Sequence, residues 1–166
     1  MVSGFYHSMN KYEGKLTKSY DTAIFAYTVL KRLGCGKIDT FEQRLKSQKV
    51  QYFAQLFRVS PSYSFSLYLR GPYSSDLAHD LFTIRDENNI DVDVSMFIPD
   101  ELEERFIQLK KFIGEMGTRE LEIASTLHLL VVIAKMNQVK ARVKLKEWKG
   151  ATENEIKEAF NKIENL

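Results

Sequence analysis

A chain of 166 residues, 44% of them hydrophobic, can build one domain with its own core, because folding at this size removes about 70% of the unfolded surface. Its 24 Lys and Arg against 22 Asp and Glu leave a net charge of +2, too little for bulk charge to imply a nucleic-acid or acidic-lipid partner. The lone Cys35 excludes an internal disulfide and a cysteine-paired metal site, and points to a reducing, cytoplasmic compartment.

In chain order, the first 20 residues lack periodicity and are expected to be irregular. The stretch Met1 to His7 has no charged start, apolar run and small-residue cleavage site, so export is not expected. Asp21 is the predicted N-cap of a first helix over Thr22 to Leu33, with Lys31, Arg32 and Gly34 closing it. Asp39 or Thr40 caps a second, longer helix running to about Phe57. Alternation then sets Tyr63, Phe65, Leu67 and Leu69 against Ser64, Ser66, Tyr68 and Arg70, the period of a half-buried strand that stops at Gly71-Pro72. A helix follows over about 75 to 85, and a second alternation runs from Ile90 to Ile98.

Pro99 suits the first turn of a helix over Asp100 to Gly114, and Thr118 is the predicted cap of an apolar helix reaching about Met136. The apolar run 123–134 within it is interrupted by Ser125, Thr126 and His128. It is too short to cross a hydrocarbon core of about 30 Å, so it reads as buried and no membrane partner is expected. A short basic helix covers Val139 to Trp148, Gly150 breaks it, and Thr152 with Glu155 forms a capping box. The last helix buries Ile156, Ala159, Phe160 and Ile163. The fold class that follows is mainly α (α+β): a single compact helical domain with a small two- or three-stranded antiparallel sheet, in which a winged-helix-like arrangement is one option.

On the second helix, Phe41, Leu45, Val50, Tyr52, Phe53, Ala54, Leu56 and Phe57 share one broad arc. Arg44, Gln48, Gln51, Gln55 and Arg58 share the other, which reads either as a solvated face or as a surface for base edges. Lys49 falls inside the apolar arc, so it must snorkel or meet a carboxylate, and Asp76 or Asp80 is the expected partner. Complementary charge motivates that pairing: residues 1–58 carry 10 cations and 4 anions (+6), residues 59–98 carry 2 and 6 (−4).

Around Gly71 and Pro72, the glycine admits a demanding backbone, the proline removes a donor, and Ser74 or Ser75 caps the next helix. Arg70 and the hydroxyls there can also hold a phosphate, although one glycine is a weak signal for it. Residues 139–163 resemble a helix-turn-helix, but the second helix is acidic, the wrong sign for DNA, while Lys140, Arg142, Lys144, Lys146 and Lys149 sit on the first. Packing through Ala141, Leu145 and Trp148 is the simpler reading. His7, His79 and His128 show no metal-ligand spacing, and His79 beside Asp76 and Asp80 lacks a nucleophile. His128 is expected to be a satisfied core group. No catalytic residue, metal or cofactor is expected, and the chain reads as no enzyme.

The segment Arg44-Leu45-Lys46-Ser47-Gln48-Lys49-Val50-Gln51-Tyr52, followed by Leu69-Arg70-Gly71-Pro72-Tyr73-Ser74, resembles the pairing found in Panacea-type (SocA-like) antitoxin domains and their small uncharacterised relatives. Lys46, Gln48, Lys49, Tyr52, Gly71 and Pro72 match that pattern, whereas Ser47, Gln51 and Arg70 depart from it. The resemblance covers about residues 40 to 85 and implies a helical domain that works by binding proteins, toxins among them. Two function classes follow. One is a non-enzymatic protein-binding module, with Lys49, Tyr52, Gly71, Pro72, Tyr73 and Ser74 as a packed junction. The other is a winged-helix-like nucleic-acid binder with Arg44, Gln48, Gln51, Arg70 and Lys144 as contacts; a homo-oligomer is compatible with either.

Overall fold

The structure, a computed structural model, describes residues 17–86, 99–114, 116–164 and 166. Most of the expected first irregular segment and the whole second alternation, Ile90 to Ile98, lie outside them.

Helix α1 (Tyr20–Arg32) begins two residues earlier than the Asp21 cap implies. Ser19 is the cap, its Oγ accepting from Thr22 N at 3.4 Å, and Asp21 instead lies in the first turn, where the helix dipole favours an anion. Helix α2 (Phe41–Leu56) starts at Thr40, which forms a reciprocal box with Gln43: Gln43 N donates to Thr40 Oγ1 at 3.2 Å and Thr40 N to Gln43 Oε1 at 3.1 Å.

The expected single strand is a hairpin. Strands β1 (Ser66–Tyr68) and β2 (Gly71–Tyr73) pair antiparallel, Leu67 opposite Pro72, with the turn at Leu69 and Arg70. Gly71 takes φ +86°, a conformation glycine adopts without strain, so the chain reverses one residue before the expected stop and Gly-Pro becomes the second strand. Leu69, expected on the buried side, is 82% exposed at the hairpin tip.

Helix α3 (Ser75–Asp86) is capped by Ser74, whose Oγ accepts from Leu77 N at 3.3 Å. Helix α4 (Asp100–Ile113) follows Pro99 and ends at Gly114. Helix α5 (Thr118–His128) takes Gly117 as its leading residue, with Glu120 accepting from Gly117 N at 2.8 Å, so Thr118 is the first helical residue and not the cap. The helix does not reach Met136: it widens into a π segment at Leu129–Ile133, stops at Ala134, and Lys135 turns the chain at φ +54°. Helices α6 (Gln138–Lys149) and α7 (Glu153–Ile163) follow, joined through Gly150 in the left-handed region and the Thr152–Glu155 box.

All eight residues from Leu121 to His128 are buried, which makes α5 the central helix. It packs against α2, α6, α7 and β2, and Val50, Phe53, Leu121, Leu127, Leu145 and Ile156 form the shared core. The face of α7 predicted from periodicity, Ile156, Ala159, Phe160 and Ile163, is buried as a unit. Ala141 and Leu145 anchor α6, but Trp148 points outward, its ring covered by Lys144 Nζ at 4.0 Å. The hairpin does not stand free as a wing; β2 packs on α5 and α2. Among the described residues no helix is long and apolar enough to cross a membrane.

Candidate functional site

One face of α2 organises the chain that follows it through three side-chain amides. Gln48 grips Ser74 at both backbone groups, Nε2 donating to Ser74 O and Oε1 accepting from Ser74 N, each at 2.9 Å. Gln55 does the same to Tyr63, at 3.3 and 3.0 Å. Gln51 donates to Pro61 O at 3.0 Å and exchanges hydrogen bonds with Ser60 Oγ. Gln48 and Gln51 are therefore buried, and the expectation that they line a solvated or base-reading face is corrected. Each supplies the backbone partners that a neighbouring strand would otherwise provide.

Lys49, 1% exposed, points under the hairpin and donates from Nζ to Pro72 O at 2.5 Å. The expected partners do not receive it. Asp80 is buried elsewhere, accepting from Tyr63 OH at 3.0 Å and Thr17 N at 2.7 Å. Asp39 and Arg85, at 4.0 Å, join the two oppositely charged segments with the expected signs reversed. The carboxylate near Lys49 belongs to Glu122 of α5, which also lies 2.9 Å from Lys149 Nζ and 3.4 Å from Arg70 Nε. Lys149 donates in addition to the carbonyl of Leu69, tying the end of α6 to the hairpin tip. Three cations thus surround one carboxylate. Burial, opposed by Glu122 and reinforced by Lys149 and Arg70, pushes the Lys49 ammonium down to about 7.

The remaining junction residues close the packing. Tyr52 OH lies 2.7 Å from His128 Nδ1, burial pushing the phenol up and the imidazole down so that the pair is neutral on both sides. His128 is the satisfied core group its position implied. Thr126 Oγ1 donates to Glu122 O at 2.6 Å and faces Gly71. Tyr73 sets its ring 5.2 Å from that of Tyr68.

Above this junction lies a groove of about 480 Å³. Phe41 and Leu45 of α2 form one wall, Tyr68 and Leu69 of the hairpin the other, and Leu81 and Phe82 of α3 complete it. The volume falls within the range of ligand pockets. Arg44, Lys49 and Arg70 also line it, and no Asp or Glu does so among the described residues. Phe41, placed by periodicity on the buried arc, is 59% exposed because the arc's first turn runs past the core and onto this wall. Of the residues expected at the junction, Lys49 meets Pro72 and lies beneath Gly71, Ser74 is held by Gln48, Tyr52 turns to His128 and Tyr73 to Tyr68. Sequence reasoning did not single out Glu122, although a lone acid among Leu121, Ile123, Ala124 and Leu127 was a usable signal for a buried ion pair.

Lys144 is not part of the groove, and on α6 both Arg142 and Lys146 pair with Glu153 of α7. Among the described residues no group of three or more His, Cys, Asp or Glu could hold a metal ion. The chain matches no protein-family model, no curated protein and no solved structure.

Proposed function

We propose that this chain is a non-enzymatic protein-binding module of the antitoxin-like kind, acting in the cytoplasm, and that it docks a segment of another protein in the groove between α2, the hairpin tip and α3. The observation that carries this reading is an apolar groove with large side chains, Phe41, Tyr68 and Leu69, left exposed at its walls. Exposed apolar surface of this kind, rimmed by polar residues, is what association sites offer. The resemblance noted in the sequence supports it, since Gln48, Lys49 and Gly71, three of the residues that carry it, line the groove. A nucleic-acid surface on α2 is the weaker reading, because Gln48 and Gln51 spend their amides on the backbone of their own chain.

Capture from the native host tests the proposal. A stoichiometric protein partner is expected to survive nuclease treatment with the wild-type chain and to be lost with Leu69→Asp, a change at an exposed tip that leaves the core intact. Recovery that depends on nucleic acid, or that Leu69→Asp leaves unchanged, sinks it.

A further inference from the structure

We infer that the segment docked in the groove is acidic as well as apolar, and that it sets an Asp or Glu carboxylate on the guanidinium of Arg70; this rests on the reading of the groove as a protein-docking site. Three observations lead there. First, the charge lining the groove is one-signed: Arg44 and Lys49 from α2 and Arg70 from the hairpin, with no acidic side chain among the described residues. Second, the cluster beneath is unbalanced, because among the described residues Glu122 is the one carboxylate shown against Lys49, Lys149 and Arg70. Lys149 takes the short contact with that carboxylate, at 2.9 Å, and the closest approach of Arg70 to it is Nε at 3.4 Å. The Arg70 side chain is 52% exposed, so its guanidinium stays open to a second carboxylate from outside the chain. Third, Arg44 is held in place by the carbonyls of Ile38 and Asp39, at 3.2 and 2.8 Å, with its guanidinium 6.0 Å from the centre of the Phe82 ring.

The groove therefore offers two guanidinium groups from opposite walls, Arg44 held by backbone carbonyls and Arg70 exposed, with apolar surface between them. An acid flanked by large apolar residues answers that pattern: the apolar groups fill the groove, and the carboxylate meets the exposed guanidinium of Arg70 in the bidentate geometry that guanidinium favours. A basic or neutral segment would leave the surplus positive charge uncompensated where apolar walls strengthen its field. The occupant is thus specified by charge as well as by shape.

Random dodecapeptides displayed on phage and selected on the wild-type protein, on Arg70→Gln and on Leu69→Asp test this. The peptides enriched on the wild type are expected to place Asp or Glu within one turn of Leu, Phe or another large apolar residue. Replacing that acid by Gln or Asn in the synthetic peptide should weaken binding to the wild type at least ten-fold, and to Arg70→Gln less than two-fold. The acid-bearing peptide should also lose affinity between roughly 0.05 and 0.5 M NaCl while its amide counterpart does not, a comparison that needs no variant to fold. A consensus without acids, or discrimination that persists in Arg70→Gln, overturns the inference. If such acid-free peptides still fail on Leu69→Asp, the docking groove stands and only its acidic occupant falls. Peptides indifferent to Leu69→Asp, no enrichment at all, or self-association of the wild type that Leu69→Asp abolishes would overturn the partner-docking reading as well.

Discussion

Gly71 and Thr126 approach so closely that a Cβ at position 71 would stand 2.5 Å from Thr126 Oγ1. The same glycine holds φ +86°, so an alanine there meets both backbone strain and a collision with a buried hydroxyl. Gly71→Ala is expected to cost about 3 kcal/mol of unfolding free energy. Adding Thr126→Ala removes the colliding oxygen and should recover about 1 kcal/mol beyond additivity in a urea-unfolding double-mutant cycle. Strict additivity would mean that the close approach is not what demands glycine.

Glu122→Gln leaves Lys149, itself buried, facing an amide. Breaking a buried pair from one side costs about 3 kcal/mol, and adding Lys149→Met to Glu122→Gln removes the cation left closest to the amide and should recover part of that loss, with Lys149→Met alone as the third variant. Chemical denaturation of the three variants decides it; a loss below about 1 kcal/mol for Glu122→Gln would show the cluster to be energetically slack.

Lys49 sets a slope in stability against pH. Its folded value of about 7 lies below the ordinary 10.5, so between these limits the unfolded chain binds more protons at this site than the folded one. Stability from this group therefore rises with pH across that window, by an amount on the order of a few kcal/mol, and the penalty is greatest below 7. Lys49→Met lacks the group, so the wild type should gain on it steadily from pH 7 to pH 10 in thermal or urea unfolding. Parallel curves would place the ammonium in contact with water.

Glu155 closes the cap of α7 and also meets Arg119 Nε at 2.9 Å. The Arg119 hydrogen bond, with the backbone N–H of Thr152, holds its carboxyl down at about 2. Because the pair is open to solvent, the charge contributes modestly, and Glu155→Ala is expected to cost about 1 kcal/mol, the usual worth of a cap. That contribution is present above the ordinary carboxyl value of 4.5 and fades as the pH falls toward 2. Glu155→Gln should keep most of the cap and lose the acid sensitivity; equal acid profiles for Glu155→Gln and the wild type would discount the Arg119 contact.

Helix content was legible because periodicity and caps are local: Thr40, Thr152 with Glu155, and the apolar face of α7 all sit where their neighbours in sequence require. The hairpin was half legible, since alternation marks an extended chain but not the point at which Gly71 allows it to reverse. The glutamines were misread for a definite reason. An uncharged amide is at home in water or against a backbone, and only the path of residues 60–74 decides between them. The partner of Lys49 escaped as well, because Glu122 lies far along the chain and no local pattern ties the two.

Lys149 gives the groove a property that its own lining hides. Among the described residues, those lining the cavity all fall between Ile38 and Phe82, yet the hairpin tip is fastened by a lysine at the end of α6, 80 positions beyond Leu69. Excising that short contiguous stretch as a minimal recognition peptide would carry away the walls and leave behind the bolt. The docking surface is not portable, and a terminal truncation far from it in sequence would act on it directly.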